Sequence, residues 1–349
     1  MRMSGMLVVA CMCTGLLMAG EQRFATRAAS VIDSAVPELM KKHHVPGVSV
    51  TLVEAERVQW TGVFGVTHVK TGKPVTVNTL FEAASMSKPL FAYAVLKLVE
   101  DGKLELNRPL VEYLPKPYLT NQPAHRKITA RMVLTHQSGF PNWRKDGWRS
   151  KHPLKLKFEP GTRFGYSGEG FLYLQRVVEQ LTEQPLDEFM RDGLLKALGM
   201  TSSSYRWELA NAKLIAAGHD AKGGLKRDDR RYDYPNAAYS LFTTPAEYSR
   251  FLIEMMNQSS GGHTLSSHMK ARMLKPLSKD KEGKRHFGLG WAVYPNGRFG
   301  HGGANGSGFR CFSRFEPATE AGIVIMTNGV GGKALYLALL KQIDEALRP

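Results

Sequence analysis

A chain of 349 residues that is 43% apolar and 22% charged has the makeup of an ordinary globular protein, with enough length to bury a large core. The net charge of +16 is scattered over short basic runs at 41–42, 151–157, 226–231 and 279–285. None of these runs carries interleaved aromatics or a glycine pattern. That excludes a nucleic-acid partner and leaves a solvated basic surface suited to anionic surroundings.

The first element is Arg2 followed by the apolar run 6–19, interrupted by Thr14 and Gly15. The run is short for a membrane span and reads as an export signal cleaved near Ala19-Gly20. Residues 1–20 are therefore expected to be a signal peptide and 21–349 a single catalytic domain, exported to the periplasm, the cell envelope or the exterior. Membrane contact is expected only through that segment, or through lipidation at Cys11 or Cys13. The third cysteine, Cys311, lies in an apolar strand-like stretch, so the mature chain has no pair to oxidise and relies on core packing.

Residues 27–44 form an amphipathic helical pattern ended by Val45-Pro46-Gly47. Two strands follow at 48–53 and 57–69, joined by Glu54-Ala55-Glu56 and closed by Thr71-Gly72-Lys73-Pro74. A helix opens at Ser85 and stops near Asp101-Gly102. Further helical patterns cover 130–135, 169–182, 185–198 and 244–257. The period then returns to two, with strands at 288–293, 297–303, 308–315 and 321–328, and a last helix runs over 333–347. Strands at both ends around a helical middle predict an α+β fold: one antiparallel sheet in a lobe of residues 27–84 and 286–349, and a helical lobe over 85–285. The cleft between the lobes is where a site is expected.

Three segments carry chemistry. In Ser85-Met86-Ser87-Lys88 the serine and lysine lie one helical turn apart on one face, so an amine of depressed pKa can take the hydroxyl proton. By itself the pattern also fits an N-cap and a solvated charge. Tyr166 sits in the glycine-rich loop 159–168 ahead of a helix, where a tyrosine near an ammonium can shuttle protons; packing under that helix is the plainer use. Phe299-Gly300-His301-Gly302-Gly303-Ala304 is a strand whose glycines admit a close backbone neighbour, and equally suits a hairpin.

Taken in order, Ser85-x-x-Lys88, Tyr166 and His301-Gly302-Gly303 resemble the serine β-lactamase and penicillin-binding protein superfamily, with the closest likeness to its class C-like and esterase-like branch. The segments 98–104, 111–115, 134–141 and 322–329 resemble the same family, so the likeness covers roughly residues 30 to 347. It implies a β-lactamase/transpeptidase-like fold and an acyl-enzyme mechanism. Ser85 would attack the carbonyl, Lys88 and Tyr166 would share its proton, and the N–H groups of Ser85 and Ala304 would hold the oxyanion. His301, Gly302 and Gly303 would contact substrate, an imidazolium at 301 orienting a carboxylate up to about pH 7. The resemblance is incomplete at two places. The family's Tyr-x-Asn is Tyr166-Ser167-Gly168 here, and its Lys-Thr/Ser-Gly is His301-Gly302-Gly303.

These departures favour cleavage of an ester or a D-configured amide, with β-lactam hydrolysis second. A non-hydrolytic penicillin- or peptidoglycan-binding protein on the same fold is the rival from another class. The expected partners are a small molecule, an ester or a peptide, cell-wall peptide included. No cofactor or metal is expected, since no His-Glu-x-x-His and no glycine-rich nucleotide loop is present. His136, close to Ser138, is expected to organise a loop rather than to serve as a second base.

Overall fold

The computed structural model describes residues 24–119, 122–147, 149–226, 234–258 and 262–348; the expected signal segment and Cys11 and Cys13 lie outside them. Helix α1 (Phe24–His43) leads through a turn into β1 (Gly47–Glu54) and β2 (Arg57–His68), followed by the short β3 (Lys73–Pro74). The strand β4 (Phe81–Glu82) and a single 3₁₀ turn (Ala84–Met86) then enter α2 (Ser87–Glu100). The middle of the chain holds α3 (Ala130–Leu134), α4 (Gly168–Thr182), α5 (Leu186–Met190), the two-residue β5 (Phe242–Thr243), α6 (Pro245–Met256) and α7 (Ser267–Leu274). It closes with β6 (Ser278–Lys279), β7 (His286–Phe287), β8 (Ala292–Val293), β9 (Phe299–Ala304), β10 (Arg310–Glu316), β11 (Ala321–Thr327) and α8 (Gly332–Ala346).

Nine of these strands form one sheet in the order β3-β2-β1-β11-β10-β9-β8-β7-β6, and β4 pairs separately with β5. Both chain ends supply its centre: Val50 faces Ile325, and Leu52 faces Ile323. That central pair is buried on both faces; β11 is accordingly almost continuously apolar, while β1 alternates Val48, Val50 and Leu52 with the small buried hydroxyls of Ser49 and Thr51. On one face Val48, Val50, Leu52, Ile323 and Ile325 meet Ile32 and Val36 of α1 and Leu339 and Ile343 of α8. On the other, Val324, Met326, Cys311 and Phe315 join the larger core around α2 and α6. Helix α2 runs through that core, buried without a break from Ser87 to Leu96 and apolar on every side from Pro89 to Leu96.

Three expected elements differ locally. The strand expected over 288–293 is broken because Gly290 takes φ +94° and packs its backbone against Ala92 of α2, leaving only Ala292–Val293 in the ladder. The helix expected over 185–198 loosens after Met190 into a wider π turn (Arg191–Leu195) that contains Gly193. Ser85 lies in the 3₁₀ turn ahead of α2, two residues before the helix starts at Ser87. The sheet also takes its edge strand β6 from the stretch assigned to the helical lobe.

Candidate active site

The segment that carries Ser85 is held from every side. Ser87 Oγ donates to Ala84 O at 2.7 Å and accepts from Leu241 N–H at 3.1 Å. Tyr205 Oη donates to Ser87 O and Tyr248 Oη to Met86 O, at 2.8 and 3.0 Å. Ala84 is forced to φ +50°, a region that a residue with a Cβ enters only when its surroundings over-determine it. Between Phe81 and Leu96, Ser85 is the only residue that is not buried. The turn therefore presents one hydroxyl to solvent and nothing else.

Lys88, 1% exposed, sits directly beneath it. Its Nζ donates to Ser85 Oγ at 3.2 Å and to Ala238 O at 2.8 Å, and lies 4.9 Å from the centre of the Tyr166 ring. No carboxylate is paired with it among the described residues, and burial pushes its pKa from 10.5 down to about 7. A lysine in that range is a base at neutral pH.

Tyr166 lines the same groove as Ser85, and burial, outweighing the influence of Ser85, raises its hydroxyl above the usual tyrosine value, so it is a neutral phenol at pH 7. Its loop is gripped by His136. The His136 carbonyl accepts from Gly165 N–H at 2.7 Å, its Nδ1 accepts from Ser167 N–H at 3.3 Å, and its ring stacks on Tyr166 at 4.2 Å. Burial, with Lys88 nearby, keeps this imidazole neutral. His136 is thus a positioning residue, as the sequence suggested. His136→Phe keeps a ring but strands the Ser167 amide, and kcat should fall roughly 10- to 100-fold with the melting temperature changed by only a few degrees. Steady-state kinetics on an activated ester, read beside a thermal melt, checks this.

Strand β9 lies across the same turn, but its residues act differently from expectation. Gly303 has no room for a Cβ because Ala83 O occupies that space, so glycine is required for the approach of β9 to the Ser85 turn. Gly302 faces the opposite side of the sheet, where a Cβ would stand 3.7 Å from the Phe312 ring and from Tyr336 Oη. Ala304 is exposed in the groove. His301 corrects a prediction: it is 4% exposed, and burial beside Lys88 pushes its pKa down to about 3, so it is no imidazolium at pH 5.5. Its Nδ1–H faces Gly302 O at 2.8 Å, which leaves Nε2 as an acceptor. Any pH dependence of carboxylate affinity in the neutral range must come from elsewhere.

The Ser85 turn and the end of β9 are tied together by a residue the sequence did not single out. Glu82, buried just before the turn, accepts from Asn305 Nδ2 at 2.7 Å and Ser307 Oγ at 2.6 Å, in the loop directly after Ala304. The carboxylate therefore fixes the spacing between Ser85 and the end of β9. Trp143 explains the other departure from the family pattern. Its ring fills the space beside Gly168 where an asparagine side chain would go, while Asn142 Oδ1 accepts from Gly168 N–H at 3.0 Å. The segment 142–144 is clamped there by Glu169, which is fully buried against the Arg144 guanidinium at 2.7 Å. Neither Glu82 nor Trp143 carries a local signal, because their partners lie far away in the chain.

Ser85, Tyr166, Asn142, His301, Gly302, Gly303 and Ala304 line one groove of about 1170 Å³; Lys88 lies under its floor. A hydroxyl flanked by an amine and a phenol, facing an exposed strand end, has the parts for nucleophilic acyl transfer.

Residues 32–348 match the Beta-lactamase family. Among curated relatives, Protein flp of Staphylococcus aureus (strain MRSA252) is 22% identical over 323 residues, covering 88% of this chain; the chain spans 64% of that relative's length. Penicillin-binding protein 4 of Amycolatopsis lactamdurans is 27% identical over 334 residues, covering 87% of this chain and 86% of the relative. Two solved structures share the fold. D-alanine carboxypeptidase AmpC from Burkholderia cenocepacia has a TM-score of 0.77 and 23% identity, covering 93% of this chain and all of that one. A beta-lactamase/D-alanine carboxypeptidase from Pseudomonas syringae has a TM-score of 0.80 and 19% identity, covering 92% and 99%.

Proposed function

Because the chain belongs to the Beta-lactamase family, we propose that it is an exported serine hydrolase that cleaves an ester or a D-configured amide through an acyl-enzyme at Ser85. The observation that carries this reading is the Lys88 amine, buried without a counter-ion among the described residues, 3.2 Å from the one hydroxyl the turn exposes. Ser85 Oγ attacks the carbonyl carbon as its proton passes to Lys88 Nζ. The N–H groups of Ser85 and Ala304 receive the developing oxyanion. Collapse of the tetrahedral intermediate expels the alcohol or amine, protonated through the Tyr166 hydroxyl, and Lys88 restores the phenol's proton. Water attacks the ester in a second passage through the same groups and releases the acid. Export is supported by the apolar run 6–19.

With Lys88 lowered and Tyr166 raised, the amine is the base and the phenol the relay. Turnover of a neutral ester should therefore rise with pH up to about 7, as Lys88 loses its proton, and level off above. A kcat/KM profile from pH 5 to 9 measures this, and a plateau reaching down to about pH 5 would remove Lys88 as the base.

Intact mass after brief exposure to a penicillin and, separately, to a short activated ester tests the reading itself. A slowly clearing penicillin adduct on Ser85 with fast ester turnover supports it. Rapid penicillin turnover would move the assignment to a β-lactamase. Absence of both an adduct and turnover would leave only a binding protein.

A further inference from the structure

The groove is lined unevenly around Ser85. Among the described residues, Ser85, Asn142, Phe164 and Tyr166 are the only lining residues ahead of Arg285, and all the others lie between Arg285 and Arg348. The groove therefore spreads over β9, β10 and α8 and hardly at all over the segments that follow Tyr166. Two residues after Tyr166 the reason is visible. Even the Cβ of an alanine at position 168 would stand 2.4 Å from Cη2 and Cζ2 of the Trp143 ring, so the indole occupies that space completely. The same ring meets Tyr239 edge to face at 5.5 Å. Tyr239 directly follows Ala238, whose carbonyl accepts from Lys88 Nζ. The indole thus stands between the Tyr166 loop and the segment that holds the Lys88 amine.

This wedge is fixed in place. Asn142 O accepts from the Gly168 and Glu169 N–H groups, both at 3.0 Å, and Asn142 Oδ1 accepts again from Gly168 N–H. On the other side of Trp143, the Arg144 N–H donates to Glu169 Oε1 at 3.0 Å. Both neighbours of Trp143 are bound to the start of α4, so the ring cannot withdraw unless these bonds break. It packs against the larger core but is only partly buried, as a side wall is and a core residue is not. A rigid bicyclic wall with no room behind it excludes by shape, because close-packed surroundings do not yield to added methylenes.

We propose that Trp143 is a specificity-determining residue that closes the groove on one side of the scissile bond. Substrates carry a small group on that side and extend only over the open side, toward β10 and α8. The proposal rests on the hydrolase reading and narrows it to esters or amides that are bulky in one direction from the reacting carbonyl. Trp143 and Gly168 form a size-exchanged pair in which the bulk missing at 168 is supplied from 143.

Two ratios of kcat/KM test it. 4-Nitrophenyl octanoate against 4-nitrophenyl acetate varies the acyl group, and 4-butylphenyl acetate against phenyl acetate varies the alcohol. In Trp143→Ala one of these ratios, and one only, should rise roughly tenfold to a hundredfold over wild type, and its identity tells which side is closed. Adding Gly168→Asn to Trp143→Ala returns bulk to the same space and should bring that ratio back down roughly threefold or more. A residue that merely packs would lower turnover of all four esters together. Unchanged ratios, or a rise in both, overturn the proposal and leave the Ser85 mechanism standing. If Trp143→Ala does not fold, Trp143→Leu carries the same test with a rise of roughly threefold. If wild type turns over no ester, the hydrolase reading fails first, and calorimetry of N-butylbutanamide, extended on both sides of its carbonyl–nitrogen bond, decides the wall. Binding roughly tenfold tighter to Trp143→Ala than to wild type upholds it; binding that is equal in the two or absent from both overturns it.

Discussion

Ser85→Ala should abolish covalent labelling by penicillin and lower ester turnover by roughly 10⁵-fold or more. The size follows from the arrangement around the hydroxyl. Lys88 and Tyr166 act only through Ser85 Oγ, so removing that atom disables the whole set rather than one third of it. The fold should be indifferent. Ser85 is partly exposed, and the turn is fixed by Ser87, Tyr205 and Tyr248, none of which needs the lost hydroxyl. Stability is therefore expected to stay within about 0.5 kcal/mol, the range of an ordinary surface change. Mass spectrometry of the penicillin-treated variant, with a denaturant melt, reads both. A label that persists in the variant would place the nucleophile elsewhere.

Lys88→Met should cost roughly 10³- to 10⁴-fold in kcat and at the same time stabilise the protein. The first effect is loss of the base. The second comes from the buried amine, because a lysine that ionises at 10.5 in the unfolded chain and at about 7 in the folded one is penalised when charged. Between those pH values the unfolded state binds more protons, so stability rises with pH; below about 7 the penalty is present in full. Methionine removes it but leaves Ala238 O without the Nζ donor, which returns part of the gain. The net is a gain of roughly 2–4 kcal/mol at pH 6, shrinking toward pH 10. Urea melts of both proteins at the two pH values test the sign. A variant less stable at pH 6 would mean that the amine is not buried as a liability.

What could be read from the sequence was whatever is written locally. Ser85 and Lys88 are three residues apart, and three residues along a helical turn is a contact whatever the rest of the chain does. Tyr166 stood out because glycines and a proline surround it, and β9 because its pattern is unlike that of its neighbours. The protonation of His301 was not legible, since it depends first on burial in the assembled fold and then on Lys88, which arrives beside it from more than two hundred residues upstream. The reason for Gly303 is a carbonyl of residue 83, and the absence of a side chain at 168 is explained by Trp143. Glu82 looked like one more polar residue in an apolar run; only the register of β9 and β10 brings Asn305 and Ser307 onto it. Helix starts moved for a related reason, as the strained Ala84 shows, because packing rather than propensity sets the turn before α2.

The central pairing of β1 with β11 has a consequence for how activity first arises. Residues 48 and 327 are neighbours in the sheet, and the strand that faces Ser85 pairs with β10, which in turn needs β11. Contacts between such distant parts of a chain form late, after the loop-closure entropy of everything between them has been met. The turn before α2 is itself held by residues 118 to 162 positions away, and the far wall of the groove waits for the last strand. A partly folded chain would then lack both the buried, deprotonated lysine and the facing strand. Acyl transfer should appear in refolding only with the slowest phase, well after helical content has recovered.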